Sequence, residues 1–176
     1  MKKAALFITK LRKQDIFKIM RWRNNQINIL RQNTKLTRQD QIKYYNKIKK
    51  DFKKNKPKNM LFSIINSNDQ NCIGYGGLVN IDWQNKKAEM SFLLDTKIIR
   101  KDDQYNLYFN SFIKLIKKEF FKVKLNRLFT ETFLFRKKHI KVLEKNNFVK
   151  EGILRKNTFK KKYIDSIIHS IVKGKN

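Results

Sequence analysis

The sequence predicts one α/β (α+β) domain spanning residues 1–176, on three observations. Helical and strand periodicities alternate along the whole chain. Three consecutive strand-like segments are joined by short polar turns, the signature of antiparallel pairing. With 176 residues, 40% hydrophobic and 12% aromatic, the chain suits one buried core and is short for two.

Ala5 to Thr9 is short and apolar, a first strand. Asp15 stands where a helix cap belongs, ahead of Ile16, Ile19 and Met20 at helical spacing. Thr37 caps a second helix with Ile42, Tyr45, Ile48 and Phe52 along one face, and Pro57 closes that unit in a lysine-rich loop. Met60 to Ser67 reads as a strand, and Asn68-Asp69-Gln70-Asn71 has hairpin chemistry. Cys72 to Ile81 returns as a strand thinned by Gly74, Gly76 and Gly77. Asp82-Trp83-Gln84-Asn85 turns the chain into Ala88–Leu94, which alternates poorly and is expected to be buried on both faces. Asp102 or Asp103 caps the longest helix, where Tyr105, Tyr108, Phe109, Phe112, Ile116 and Phe120 recur every three or four residues. Leu125 to Phe133 is a strand, about Lys137 to Asn146 a helix, and paired strands follow from Phe148. No repeat or flexible linker interrupts this order.

Composition excludes several classes. No run of about eighteen apolar residues exists to span a membrane, and the apolar stretch after Met1-Lys2-Lys3 is too short for a secretory signal. The single Cys72 has neither a disulfide partner nor metal-ligand company. The expectation is a cytoplasmic, metal-free protein. A net charge of +29 ordinarily points to nucleic acid. Yet 34 of the 43 basic residues are lysines, accompanied by abundant Asn, Ile and Phe, all drawn from A/T-rich codons. Codon bias is therefore favoured over a nucleic-acid partner, whose surface would lean more on arginine.

The segment from Lys145 to Asp165 is the most specific. It reads Lys145-Asn146-Asn147-Phe148, then Glu151-Gly152-Ile153-Leu154-Arg155, and reaches Asp165 at the start of a last strand. This resembles the C-terminal half of the GNAT superfamily of acyl-CoA-dependent N-acetyltransferases, with Asn147 where glycine is usual. Its ribosomal-protein N-terminal and amino-sugar branches are the most similar. The resemblance implies a mixed, mostly antiparallel sheet with helices on both faces, and acetyl-CoA as acetyl donor. It implies that Ala88–Leu94 and Leu125–Phe133 splay apart, so that backbone around Phe92, Leu93 and Leu94 meets the pantetheine arm while the amine enters opposite.

Within that frame Glu89 resembles the family's general base, its apolar flanks favouring the burial that tunes a carboxyl for proton transfer; pairing with Lys86 or Lys87 at a strand edge is the alternative. The family's pyrophosphate loop carries two glycines ahead of the long helix. Here the stretch is Arg100-Lys101-Asp102-Asp103-Gln104-Tyr105, with no glycine and two aspartates. Either the side chains of this segment (Arg100, Lys101, Asp103, Gln104, Tyr105) hold the cofactor in a modified way, or binding is lost. Arg136 and Leu143 fall where relatives place Asn and Tyr, so the tyrosine that protonates the thiolate is missing; Arg136 either meets the adenosine phosphates or stands solvated. Trp22-Arg23-Asn24 resembles an acceptor-pocket element of amino-sugar acetyltransferases, and Trp83 is a further candidate for that pocket. His139 is expected to be solvated and His169 to be a satisfied core or edge residue.

Two functions follow. One is an N-acetyltransferase acting on a primary amine, a nucleotide-linked amino sugar or a protein N-terminus, as monomer or homodimer. The other is a degenerate GNAT-fold module binding RNA or a ribonucleoprotein through Lys47–Lys58 and Lys160-Lys161-Lys162.

Overall fold

The computed structural model describes residues 5–174. Seven strands form one sheet in the order β1-β2-β3-β4-β5-β7-β6, where β1 is Leu6–Lys10, β2 Met60–Asn66, β3 Cys72–Asp82, β4 Lys87–Leu94, β5 Arg127–Phe133, β6 Val149–Lys160 and β7 Lys162–Val172. Every pairing is antiparallel except β4 with β5. The expected sheet and element order are therefore observed.

Strand alternation divides the interior. Phe62, Ile64, Leu78 and Met90 face α4 (Asp102–Lys122) and α5 (Lys137–Lys145), which contribute Phe109, Phe112, Ile116, Val142 and Leu143 to one core. Leu61, Ile65, Tyr75 and Leu93 face α1 (Ile16–Asn25) and α2 (Arg38–Asp51), which contribute Ile19, Trp22 and Ile48 to a second. Burial of this kind stabilises by about 25 cal/mol per Å² of apolar surface, so each face fixes its own helix pair. Gly76 permits the first arrangement: a Cβ there would come within 2.7 Å of Phe112 Cζ. The Phe112 ring thus rests directly on β3 backbone.

Local chemistry differs from expectation at four places. Thr37 does cap α2, in a reciprocal capping box with Asp40. Asp15 makes no side-chain cap; its carboxylate takes both guanidinium arms of Arg12, at 2.6 and 3.0 Å. Ile42 is exposed, and Gln41 occupies the buried face of α2 in its place. A short helix α3 (Thr96–Ile99), capped by Asp95, precedes α4, whose N-cap is Lys101 rather than either aspartate. Asp103 follows in the first turn instead, where an acidic group suits the positive end of the helix dipole.

Candidate active site

The site begins where two strands part. β4 and β5 pair in parallel only through Lys87–Arg127, Ala88–Leu128 and Glu89–Phe129. Beyond that rung β4 continues to Leu94 on β3, and β5 continues to Phe133 on β7. The Thr130 hydroxyl donates to the Met90 carbonyl at 3.3 Å, the first contact across the fork. A chamber of about 90 Å³ lies in the gap, lined by Glu89, Ser91 and Phe92 on one strand and Glu131 on the other, and by Arg31 and Arg136.

Glu89 is buried, as expected, but no strand-edge lysine meets it. Its Oε1 takes the Arg31 guanidinium, and its Oε2 takes the Asn80 side-chain amide at 3.0 Å. Asn80 sits at a break in the β3–β4 ladder between Val79 and Asp82 with φ of 51°. That left-handed conformation is one asparagine tolerates better than most residues, and the irregularity accompanies its reach to Glu89. Glu131, two residues past the last rung of β5, takes the other arm of Arg31 at 3.3 Å on Oε2 and the Asn157 amide at 2.8 Å on Oε1. Two carboxylates thus face one cation across the fork.

The opposite side of the fork is aromatic and basic. The Tyr105 hydroxyl meets His139 Nδ1 at 2.5 Å, and the Arg136 guanidinium reaches the same oxygen. Since guanidinium can only donate, the Tyr105 oxygen accepts from Arg136 and shares its second hydrogen bond with His139 Nδ1. Burial pushes the Tyr105 hydroxyl up to about 12, with Arg136 opposing, and pulls His139 well below its usual range, so both are neutral at pH 7. The His139 ring stacks on Phe109 with centroids 4.5 Å apart. His139 is therefore a buried structural partner rather than the solvated residue expected. Leu143 is fully buried, leaving no hydroxyl at that position.

Not every expected site residue gathers here. Phe92, Tyr105 and Arg136 line the chamber or the groove adjoining it, which runs between the starts of α4 and α5 past Lys137 and Lys138. Leu93 turns into the second core, and the Leu94 carbonyl is taken by the Gln26 amide at 2.7 Å. Arg100 lines a different groove with Arg21 and Lys97, while Lys101, Asp103 and Gln104 lie exposed at the head of α4. Trp22 is core. Arg23 donates to Tyr75 and Gln32, and Asn24 to the Leu36 carbonyl, so both pin the loop that carries Arg31. Trp83 donates to the Pro57 carbonyl and packs beside Phe52 and Phe62, away from the fork. His169 is buried with no hydrogen-bond partner on either ring nitrogen and Glu144 3.7 Å off, which leaves it unsatisfied rather than satisfied. Lys47–Lys58 leads into β2 next to one edge strand, whereas Lys160–Lys162 joins β6 to β7 at the other edge of the sheet order. Among the described residues no cluster of metal-ligating side chains occurs, and no helix is long and apolar enough to cross a membrane.

Glu131, Asn80 and Arg31 escaped sequence reading. Glu131 alone carried a signal: an acid set between two threonines in a strand with Leu128, Phe129 and Phe133, in a chain with only 14 acidic residues.

The geometry suits a thioester donor. Past Met90 one edge of β4 is released from β5, the adjoining groove runs between the starts of two helices, and Arg136 and Lys137 offer cations for phosphates. The fold and site are those of an acyltransferase. The model of the acetyltransferase (GNAT) domain family matches residues 8–168, and the chain belongs to that family. It is a GNAT-type N-acetyltransferase with acetyl-CoA as donor. Among solved structures, spermidine N-acetyltransferase from Vibrio cholerae in complex with CoA and spermine superposes with a TM-score of 0.83 at 18% identity, over 97% of this chain and 96% of that one. An N-acetyltransferase from Staphylococcus aureus Mu50 gives 0.77 at 15% identity, over 95% and 98%. At these identities the likeness is one of fold. A search of curated proteins returns no significant match.

Proposed function

We propose that the acceptor is a small aliphatic amine that arrives as a cation and seats its ammonium between Glu89 and Glu131. The observation that carries this reading is the shared hold of those two carboxylates on one guanidinium across the fork. Asn80 and Asn157 occupy the outer oxygens, so the inner oxygens are aimed at a common point. Charge-assisted hydrogen bonds there orient the amine. Glu89 then takes a proton from the ammonium, directly or through one water, freeing the nitrogen lone pair. Acetyl-CoA supplies the acetyl group already activated as a thioester. Tyr105 is engaged by both His139 and Arg136, and solvent serves as the proton source for the departing thiolate.

Polyamines are the acceptor class this favours, and the spermine-bound relative supports the same choice. A nucleotide-linked amino sugar loses its main support, because Trp22 is core and Arg23 is committed to Tyr75 and Gln32. The test is release of free thiol from acetyl-CoA in the presence of spermidine, a nucleotide-linked amino sugar, or a peptide with a free N-terminus. Saturable turnover with spermidine and little with the others is the expected result. Turnover confined to the sugar or the peptide would overturn the choice.

A further inference from the structure

Arg31 occupies the place that the acceptor needs. Its guanidinium is half exposed yet bridges Glu89 and Glu131, and it walls the chamber of about 90 Å³ from a groove of about 480 Å³ that shares Leu30, Arg31, Ser91 and Phe92 with it. The groove is roughly five times the volume of the chamber, so an acceptor with a long carbon chain is housed mainly in the groove. Leu30, Ser91 and Phe92 border both as well, and of these four residues only Arg31 is charged.

The backbone that carries Arg31 is held on both sides. Lys160, the last residue of β6, donates to the carbonyls of Ile27 at 2.6 Å and Gln32 at 2.8 Å. The Gln32 side chain is held in turn by Arg23 at 2.9 Å and by Asn24 at 3.0 Å. The loop is therefore anchored while the half-exposed Arg31 side chain reaches in from solvent to two largely buried carboxylates, which a second cation must satisfy if the guanidinium leaves. By contrast, the carboxylates stay put, each fixed by its own asparagine.

We infer that Arg31 is a tethered internal cation that gates the acceptor passage and is displaced by the amine. It sets specificity: a cationic acceptor that satisfies both Glu89 and Glu131 replaces the guanidinium, and a neutral or anionic one leaves it in place. This rests on the acceptor site proposed above, but the gate is readable without turnover.

The experiment compares the intact protein with Arg31→Ala, using methylguanidinium and spermidine as probes in calorimetry, alongside acetylation kinetics. The vacated pair should bind methylguanidinium at least about tenfold tighter than the intact protein does, as expected when a competing tethered ligand is removed. The KM for spermidine should fall by a similar factor, and single-charge amines should become better acceptors. Equal affinity in the two proteins would show that Arg31 does not hold the site closed, and weaker binding in Arg31→Ala would make Arg31 an acceptor ligand; either overturns the gate. Tighter methylguanidinium binding without acetylation of any amine would sink the proposed acceptor and leave the gate standing.

Discussion

Glu89 pairs with Phe129 as the last rung joining β4 to β5. One residue later the strands have parted, so this carboxylate stands at the vertex of the fork. The position explains its burial, since two strands still flank it, and its access, since the chamber opens beside it. A base placed there touches the acceptor from one side while the released edge of β4 serves the donor from the other.

Asn80 fixes which way Glu89 points. Asn80→Ala removes the amide on Oε2 and leaves Arg31 as the carboxylate's remaining side-chain partner. Turnover of spermidine should fall about tenfold or more, the cost of losing roughly one charge-assisted hydrogen bond. Acetyl-CoA affinity measured calorimetrically should stay the same. A fall in acetyl-CoA affinity instead would place Asn80 on the donor side.

On the donor side, the phosphates are expected at the heads of α4 and α5. Lys137→Ala should weaken acetyl-CoA binding about threefold to tenfold in dilute buffer, and the difference should shrink as salt is raised through about 0.5 M. Arg100→Ala serves as the comparison. Arg100 lines another groove, so its loss should leave the affinity alone. If Arg100→Ala has the larger effect, the donor runs along the groove beside α3 instead.

The outer strands carry a pH-dependent tie. Arg127 of β5 and Ser170 of β7 both hydrogen-bond Glu151 of β6, and Arg127 first and Ser170 second hold the Glu151 carboxyl down to about 2. A depressed carboxyl stabilises the fold above its unfolded value near 4.5. That contribution is lost as pH falls from there through about 2. Melting temperatures of the intact protein and Glu151→Gln should therefore differ at pH 6 and converge toward pH 2. A gap that stays constant across that window would contradict the ion pair.

Much of the fold was legible because it is written in local signals. The Asn68–Asn71 turn, the Thr37 cap and the apolar repeat from Tyr105 to Phe120 each name an element without tertiary help. Glu89 was legible as well, as an acid flanked by apolar strand residues. What escaped is long-range. Arg31 lies 58 residues from Glu89 and 100 from Glu131 in the chain, and nothing around it marks it as a cleft residue. His139 sits among lysines and an arginine, which suggests solvent, but the same helix has Ile140, Val142 and Leu143 on its buried side. Only packing against Phe109 and Tyr105 decides which side His139 takes. Trp22 is a pocket candidate on resemblance and Trp83 a candidate for either pocket or packing, and packing claims both.

The central claim is that Glu89 removes the acceptor's proton at the fork. Steady-state acetylation of spermidine by Glu89→Gln, with acetyl-CoA affinity measured on the same protein, tests it most directly. The substitution keeps the shape and deletes the base, so turnover should drop by about 10²-fold or more while acetyl-CoA affinity is preserved. Turnover equal to that of the intact protein across pH would contradict the claim.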